Sequence, residues 1–391
     1  MIFLINCSNL KAGGGLQVAD SVCGQLDRFS REHRFVVVLS RFLDKTAERI
    51  KNYDNVEVLR YDLPQSFRSV VLGRDKFLDG FVEERKVDAV LTVFGPSLWR
   101  PRLPHLCGFA RAQLLLTDDV KVKGYRLTVR EVKGYRLPVR EVKGYRLTVK
   151  ERIVHRVWAW GFRRSSRVFY TENAYISAML PRLIKGAEVY TVSNYYNQVF
   201  DQPERWQRNV KLPEFEGTTL LSVSSAAAHK NLGIMVPAAE WLEREHPDFN
   251  FRFVLTCKEA PFELPERLKK HFVFIGRVDV SECPNLYEQA DIMFMPTLME
   301  CFTATYPEAM RMQVPIVTTD LEFAHGLCGD AACYYSAVDA RAAAQAIYKV
   351  ATDEAYRSRL TANGKEQLKS YDSYEQRAEK LVEILASLVK N

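Results

Sequence analysis

The residues best suited to chemistry lie in Pro296-Thr-Leu-Met-Glu300-Cys-Phe-Thr303-Ala-Thr-Tyr-Pro-Glu308-Ala-Met310, between an apolar run that reads as a buried strand and a stretch with helical spacing. Its two carboxylates, Glu300 and Glu308, are eight positions apart. With a helix starting near Ala304, Glu308 lies about one turn inside it and Glu300 stands in the loop beyond the strand's carboxyl end. One glutamate can then reach the near end of a ligand and the other its far end. The backbone N–H groups of Phe302, Thr303 and Ala304 point out of the predicted helix N-terminus, a natural cradle for an anion. Two surface carboxylates at this spacing are the alternative. Asp118-Asp119 has the residue types of a metal–nucleotide site but no strand-end context, and reads as surface. No metal is expected.

The elements that must position these residues follow a repeating grammar. Ile2 to Ile5 is an apolar run, Gly13-Gly14-Gly15 follows, and Leu16, Ala19, Val22 and Leu26 then recur at helical spacing, giving strand, glycine loop and helix. Apolar runs at Phe35–Leu39, Val56–Leu59, Ala89–Val93, Val168–Tyr170 and Glu188–Val192 continue a parallel α/β pattern. Phe200–Gly217 is polar and lacks periodicity. Beyond it the grammar restarts: strand Thr219–Val223, loop Ser224–His229, helix Asn231–Arg244, strands Phe251–Thr256, His271–Ile275, Ile292–Met295 and Pro315–Thr318, then three closing helical stretches, Ala337–Ala351, Arg357–Lys369 and Tyr374–Val389. The expected architecture is α/β: two Rossmann-like, doubly wound parallel-sheet domains facing across a cleft. The first spans residues 1–200 and the second 218–372, joined by a linker at 201–217, with a closing helix at 373–391 that can pack back on the first domain.

The chain has 391 residues, 47% of them apolar and 26% charged, a profile that excludes disorder as the main state. The net charge of +7 is local. Lys121–Lys150 holds ten Lys/Arg against two Glu, and the other 361 residues carry 45 basic and 46 acidic side chains. A nucleic-acid-binding reading of the whole chain is therefore weak. Eight cysteines without a CxxC pair predict a reducing, cytoplasmic setting. The longest apolar runs are far shorter than the ~20 residues that span a bilayer, so any membrane contact is expected to be peripheral.

The basic segment is a tandem repeat: Val122–Glu131 recurs at Val132–Glu141 and Val142–Glu151, with Pro138 replacing Thr in the middle copy. Near-identity of ten-residue copies fits a duplicated loop insertion (121–151) in the first domain better than a solenoid. Just beyond it, Arg152, Arg156, Arg163, Arg164 and Arg167 surround Trp158, Trp160 and Phe162, a mixture suited to a lipid headgroup layer. A solvated insertion without function is the alternative.

The segment around the two glutamates resembles the E-x7-E region of the family-4 (group 1) retaining glycosyltransferases, commonly E-G-F-G-x-x-x-x-E-A-M-A-x-G-x-P-V. Glu300, Phe302, Glu308, Ala309, Met310 and Pro315 are in register; Cys301, Thr303 and Gln313 stand where glycines are usual. Phe274-Ile-Gly276 is similar to the family's F-x-G turn, Ala290-Asp291 and Pro296 also fit, and Gly13-Gly14-Gly15 is similar to its N-terminal glycine loop. Asn194 resembles part of a V-x-N-G-V-D turn, where it would cap backbone.

The resemblance implies the two-Rossmann B-type fold, with a nucleotide-diphosphate sugar held by the C-terminal domain and the acceptor by the N-terminal one. Glu308 would bind ribose hydroxyls and Glu300 a donor-sugar hydroxyl. Ser224–Asn231 would be the diphosphate clamp, with Lys230 neutralising charge on the leaving nucleotide and Ser225 where an arginine is usual. Arg277 and Val278 would border the base, Phe302 and Thr303 the sugar, and Gly14 and Gly15 the glycine loop. His105, in Pro104-His-Leu-Cys-Gly108, is expected in a cleft loop where it orients the acceptor; a merely packed or exposed histidine is the alternative. The implied activity is retaining, metal-independent sugar transfer to a glycan or lipid-linked glycan in cell-surface polysaccharide synthesis, without a further cofactor or nucleic acid, at the cytoplasmic side and with residues 121–167 touching an anionic membrane. A nucleotide-sugar epimerase on the same fold, and a basic binding protein with a vestigial enzyme fold, are the competing readings.

Overall fold

Apolar side chains on both faces of a strand can be satisfied only in the middle of a covered sheet, and Ile2–Cys7 (β1), with Phe3, Leu4, Ile5 and Cys7 all buried, takes that place. In the computed structural model, which describes residues 1–11, 13–63, 72–115 and 149–390, β1 pairs in parallel with Arg34–Leu39 (β2) on one side and Ala89–Thr92 (β4) on the other. Asp118, Asp119 and all but the last three residues of the tandem repeat lie outside the described residues.

The described residues form two units. The first comprises residues 1–115, 149–195 and 371–390, and the second residues 196–370. With Val56–Arg60 (β3), His105–Gly108 (β5), Val168–Thr171 (β6) and Glu188–Thr191 (β7), the first unit builds a parallel sheet in the order β3-β2-β1-β4-β5-β6-β7. Its helices are Gly14–Cys23 (α1), Asp44–Ile50 (α2), Lys76–Glu84 (α3), Val149–Ser165 (α4) and Ala174–Leu183 (α5), together with the C-terminal helix.

The second unit has a parallel sheet of Thr218–Ser222 (β8), Phe251–Leu255 (β9), Phe272–Phe274 (β10), Ile292–Met295 (β11), Ile316–Thr319 (β12) and Ala332–Tyr335 (β13), in the order β10-β9-β8-β11-β12-β13. Met235–Glu245 (α6), Cys283–Glu288 (α7), Thr305–Arg311 (α8), Glu322–Cys328 (α9), Ala340–Thr352 (α10) and Glu354–Leu368 (α11) accompany it. The last helix, Tyr374–Lys390 (α12), buries Leu381, Val382, Ile384 and Leu385 in the core of the first unit, among Ile5, Val37 and Leu91.

Both sheets are doubly wound. The chain builds outward from β1 to β3 and returns to lay β4 on the other side of β1; it repeats the move from β8 to β10 and returns to β11. The carboxyl ends of β1 and β4, and of β8 and β11, therefore diverge into loops on opposite sides, which opens a crevice at each switch point. Residues 201–217 are tied to the second unit. Glu282 accepts hydrogen bonds from the backbone of Asn209 (3.2 Å) and Val210 (3.3 Å), and Gln289 accepts one from the Leu212 N–H at 2.9 Å.

Candidate active site

Lys230 and Glu300 are seventy positions apart in sequence, yet form an ion pair in which their side chains are only 13% and 11% exposed. Topology explains the meeting, because Lys230 follows β8, Glu300 follows β11, and these strands are neighbours at the switch point. Thr297 fixes the carboxylate by donating its hydroxyl to Glu300 Oε1 at 2.9 Å. The Leu298 N–H donates to the His229 carbonyl at 2.8 Å, which laces the two loops together beneath the pair. Sequence reasoning missed Thr297; its position two residues beyond the end of β11 was the available signal.

The local fold around Lys230 differs from the expected helix Asn231–Arg244. Lys230 ends a single 3-10 turn, Ala228–Lys230, and Asn231 has a left-handed φ of 52° that breaks the chain before α6 begins at Met235. Asn231 tolerates this conformation better than most residues, and its side-chain amide donates to the Ala337 carbonyl at 3.2 Å. Burial lowers the pKa of the neighbouring His229, opposed by Glu300 and assisted by Lys230. Ser225 is exposed in the loop between β8 and that turn.

Glu308 is 4% exposed inside α8. Its one side-chain hydrogen bond among the described residues comes from the Tyr287 hydroxyl to Oε2 at 3.0 Å. Burial pushes its pKa up to about 7, and the phenol's hydrogen bond opposes the shift. Such a group is poised between a neutral acid and an anion able to accept two O–H donors. Tyr287, on α7, was not singled out in the sequence; only its position on the apolar face of a short helix pointed inward.

Between the two glutamates, Phe302 and Thr303 lie in the loop before α8. The helix begins at Thr305, with Ala304 as its N-cap as expected, and has seven residues. The Thr303 and Thr305 hydroxyls are hydrogen-bonded at 2.8 Å and buried, so the side chain standing where the family has glycine folds back on the helix start. Arg277 and Val278 follow β10 after Gly276, whose φ is +74° and around which a Cβ would meet nothing within 4 Å. The loops carrying Ser225, Lys230, Arg277, Val278, Glu300, Phe302 and Thr303 all leave the carboxyl edge of the second sheet, since its strands are parallel.

Gly14 and Gly15 belong to the first unit, where Gly13, with φ 73°, caps α1. A Cβ on Gly14 would meet nothing within 4 Å, whereas one on Gly15 would touch Leu10 at 3.4 Å and Phe94 at 3.5 Å. Asn9 Nδ2 donates to the Phe94 carbonyl at 2.7 Å and joins this loop to the one after β4.

His105 is not in a loop. It is the first residue of β5, 7% exposed. Nδ1 lies 2.9 Å from the Ser165 carbonyl, which can only accept, so Nδ1 carries the proton and Nε2 accepts from the Thr92 hydroxyl at 2.9 Å. Burial lowers its pKa to about 4. Both nitrogens are occupied in fastening β4, β5 and α4 together, which leaves none to orient an acceptor. Asn194 does more than cap backbone: its Oδ1 accepts from the Tyr195 N–H at 2.8 Å and from the buried Arg377 guanidinium.

Among the described residues, no group of three or more His, Cys, Asp and Glu side chains is arranged to hold a metal ion. No described helix is long and apolar enough to cross a membrane.

Comparison with known proteins agrees with this geometry. The family described as glycosyl transferases group 1 matches residues 217–353, the stretch that contains Lys230, Glu300 and Glu308. No curated protein matches the chain in sequence. Solved structures match it in fold over essentially its whole length. Sucrose-phosphate synthase from Thermosynechococcus elongatus aligns with a TM-score of 0.67 at 13% identity, covering 100% of this chain and 99% of its own. WaaG, a glycosyltransferase involved in lipopolysaccharide biosynthesis, gives 0.61 at 18% identity, covering 98% and 99%. HepE from Anabaena, solved with UDP and glucose, gives 0.60 at 12% identity, covering 99% of each chain. Residues 217–353 of this protein thus match the group 1 glycosyltransferases in sequence, and the chain as a whole shares its two-Rossmann fold with these solved structures.

Proposed function

We propose that this protein is a retaining glycosyltransferase that moves a sugar from a nucleotide-diphosphate sugar to a glycan or lipid-linked glycan, in cell-surface polysaccharide synthesis and without a metal. The observation that carries this reading is the Lys230–Glu300 pair at the switch point of the second sheet, with the buried Glu308 in the following helix.

In this reading the donor's diphosphate takes Lys230 from Glu300. The ammonium then neutralises charge that grows as the bond between the anomeric carbon and the phosphate oxygen breaks. Glu300, still held by Thr297, accepts a hydroxyl of the donor sugar. Glu308 accepts the ribose hydroxyls, Arg277 and Val278 border the base, and Phe302 and Thr303 shape the sugar site. The acceptor oxygen attacks on the face that the nucleotide leaves, and its proton passes to the departing diphosphate, so no protein nucleophile is required. Gly14 and Gly15 offer open backbone in the first unit. His105 has no part in the reaction.

Calorimetry with uridine diphosphate, the nucleotide seen in HepE, is the first test. Glu308→Gln should weaken binding of the bare nucleotide about tenfold or more, the cost of losing a charge-assisted hydrogen bond. Glu300→Gln should leave that binding nearly unchanged and lower transfer from a verified donor. Equal effects of both substitutions on the bare nucleotide would contradict the assignment. Lys230→Ala should lower turnover ~10²–10³-fold in a protein that is still folded, though less stable because Glu300 is left without its cation, and near-normal turnover would remove Lys230 from the mechanism.

A further inference from the structure

His229 lies in the 3-10 turn that also carries Lys230. Its carbonyl is held from the neighbouring loop, where the Leu298 N–H donates to it at 2.8 Å and the Thr297 hydroxyl at 3.3 Å. Thr297 also holds Glu300, so one loop fixes both the His229 backbone and the Glu300 carboxylate. The His229 side chain is left differently. It is half-buried, and among the described residues it makes no hydrogen bond or ion pair. The buried histidines His105 and His271 are the contrast. His105 uses both nitrogens on the Ser165 carbonyl and Thr92, and His271 uses both on the Phe251 carbonyl (2.8 Å) and Glu243 (3.0 Å). An imidazole with a donor and an acceptor both unused, inside a cluster that holds an ammonium and a carboxylate, is fitted to a ligand.

Charge balance says which kind of ligand. The charged groups facing His229 are Lys230, from its own turn, and Glu300, from the loop after β11. Burial lowers the imidazole's pKa, the ammonium adds to the lowering and the carboxylate opposes it, so the ring is neutral near pH 7. Lys230 and Glu300 cancel each other in their ion pair. A nucleoside diphosphate brings more than one negative charge into this balanced site. Once it draws Lys230 away from Glu300, the carboxylate adds to the excess. Net negative charge in a water-poor cleft is costly, and His229 is the group in the cluster that can become a cation, because Lys230 already is one. An anion placed beside a histidine favours that charged form.

We propose that His229 binds the donor's diphosphate alongside Lys230, gaining a proton as the diphosphate enters and losing it when the nucleotide leaves. This rests on the nucleotide-sugar reading given above and adds to it a second phosphate ligand and a proton linkage. The proton comes from solvent and returns to it. The imidazolium donates its N–H to a phosphate oxygen, a charge-assisted bond, and sets a second positive charge beside the oxygen on which charge grows as the glycosidic bond breaks.

Calorimetry of the full-length protein with uridine diphosphate, near neutral pH and in two buffers of different ionisation enthalpy, counts the protons gained on binding. The wild type should gain about half to one proton more than His229→Gln, which keeps a neutral N–H donor but cannot be protonated. His229→Gln should also bind the nucleotide about tenfold more weakly. The wild type's affinity should rise as pH falls through neutrality, since the bound form holds the extra proton, and the variant's should rise less. With uridine, which has the ribose and no phosphate, the wild type should gain no proton. Equal proton counts for wild type and variant would overturn the proposal even if the affinities differ, because a side chain that merely shapes the loop gives that result. Equal proton gain with uridine and with uridine diphosphate would overturn it too, and in both cases the nucleotide still binds and the nucleotide-sugar reading stands. Absence of uridine diphosphate binding by the wild type would overturn that reading and this proposal together.

Discussion

Each unit buries a glutamate whose pKa is raised by that burial, and the two carboxyls are alike in burial and unlike in company. Glu172, immediately after β6, and Glu308, inside α8, are 5% and 4% exposed, and burial pushes the pKa of each up to about 7. Glu172 is opposed by a cation: the Arg377 guanidinium of α12 lowers its pKa, as does a hydrogen bond from Asn194. Arg377 in turn donates to Asn194 Oδ1 and, at 2.6 Å, to the Ser21 hydroxyl. The cluster draws on β6, α1, the segment after β7 and the C-terminal helix, and its charges cancel inside the first unit. Glu308 meets only the Tyr287 phenol, and no cation moderates its shift. Equal burial thus meets a cation's field in one unit, where Glu172 Oε1 itself accepts no hydrogen bond among the described residues, and a single phenol in the other.

The strongest way to break this contrast is to remove the cation. Arg377→Met should destabilise the first unit by ~3–5 kcal/mol, because Asn194 then loses its buried donor and Glu172 the cation whose field opposes its burial. Adding Glu172→Gln should restore much of the loss, since the two residues act as one network. Denaturant unfolding of the single and double variants measures both effects. A single variant as stable as the wild type would mean that the cluster does not hold α12.

A second test uses pH. A carboxyl whose folded pKa is raised from 4.5 to about 7 holds a proton in the folded chain that the unfolded chain releases between those values. Its contribution to stability is therefore complete below pH ~4.5 and declines as pH rises through 7. Each glutamate accounts for up to ~3 kcal/mol across this window. Glu308→Gln should flatten the decline in the second unit and leave the first unit's slope in place. An unchanged slope would show that Glu308 does not carry the raised pKa.

The sequence made these two residues unequally legible. Glu308 stood out because it lies near Glu300 in one segment. Glu172 and Arg377 did not, because their partnership spans 205 positions and Arg377 interrupts an apolar stripe that reads simply as an amphipathic helix. The strands with unbroken apolar runs, such as β1, β2 and β11, were readable. The short β5 and β13 were not, since His105 and a flanking glycine made the first look like a loop, and Ala-Cys-Tyr-Tyr at the sheet edge carries little pattern. Pairing of Lys230 with Glu300 follows from strand order, which no local spacing encodes.

The smallest effect lies at the end of α8, the helix that carries Glu308. There the Val314 N–H donates to the Ala309 carbonyl at 2.9 Å and the Gln313 N–H to Met310 at 3.2 Å, the paired bonds of a Schellman motif. The position between helix and strand demands a left-handed residue, and Gln313 adopts φ 59° where the resembling family has glycine. Forcing a side chain into this region costs ~1–2 kcal/mol, while glycine would lose ~0.5–1 kcal/mol more chain entropy on folding. Gln313→Gly should therefore stabilise the second unit by about 0.5–1 kcal/mol. Gln313 is exposed, so neither Glu308 nor its hydrogen bond from Tyr287 should be disturbed. The variant sharpens the contrast between the units by raising the second unit's stability without touching Glu308. Unfolding and uridine diphosphate calorimetry on the same preparation check both halves: a stability gain with unchanged affinity is expected, and a loss of stability would mean that the Gln313 side chain makes a contribution larger than its backbone strain.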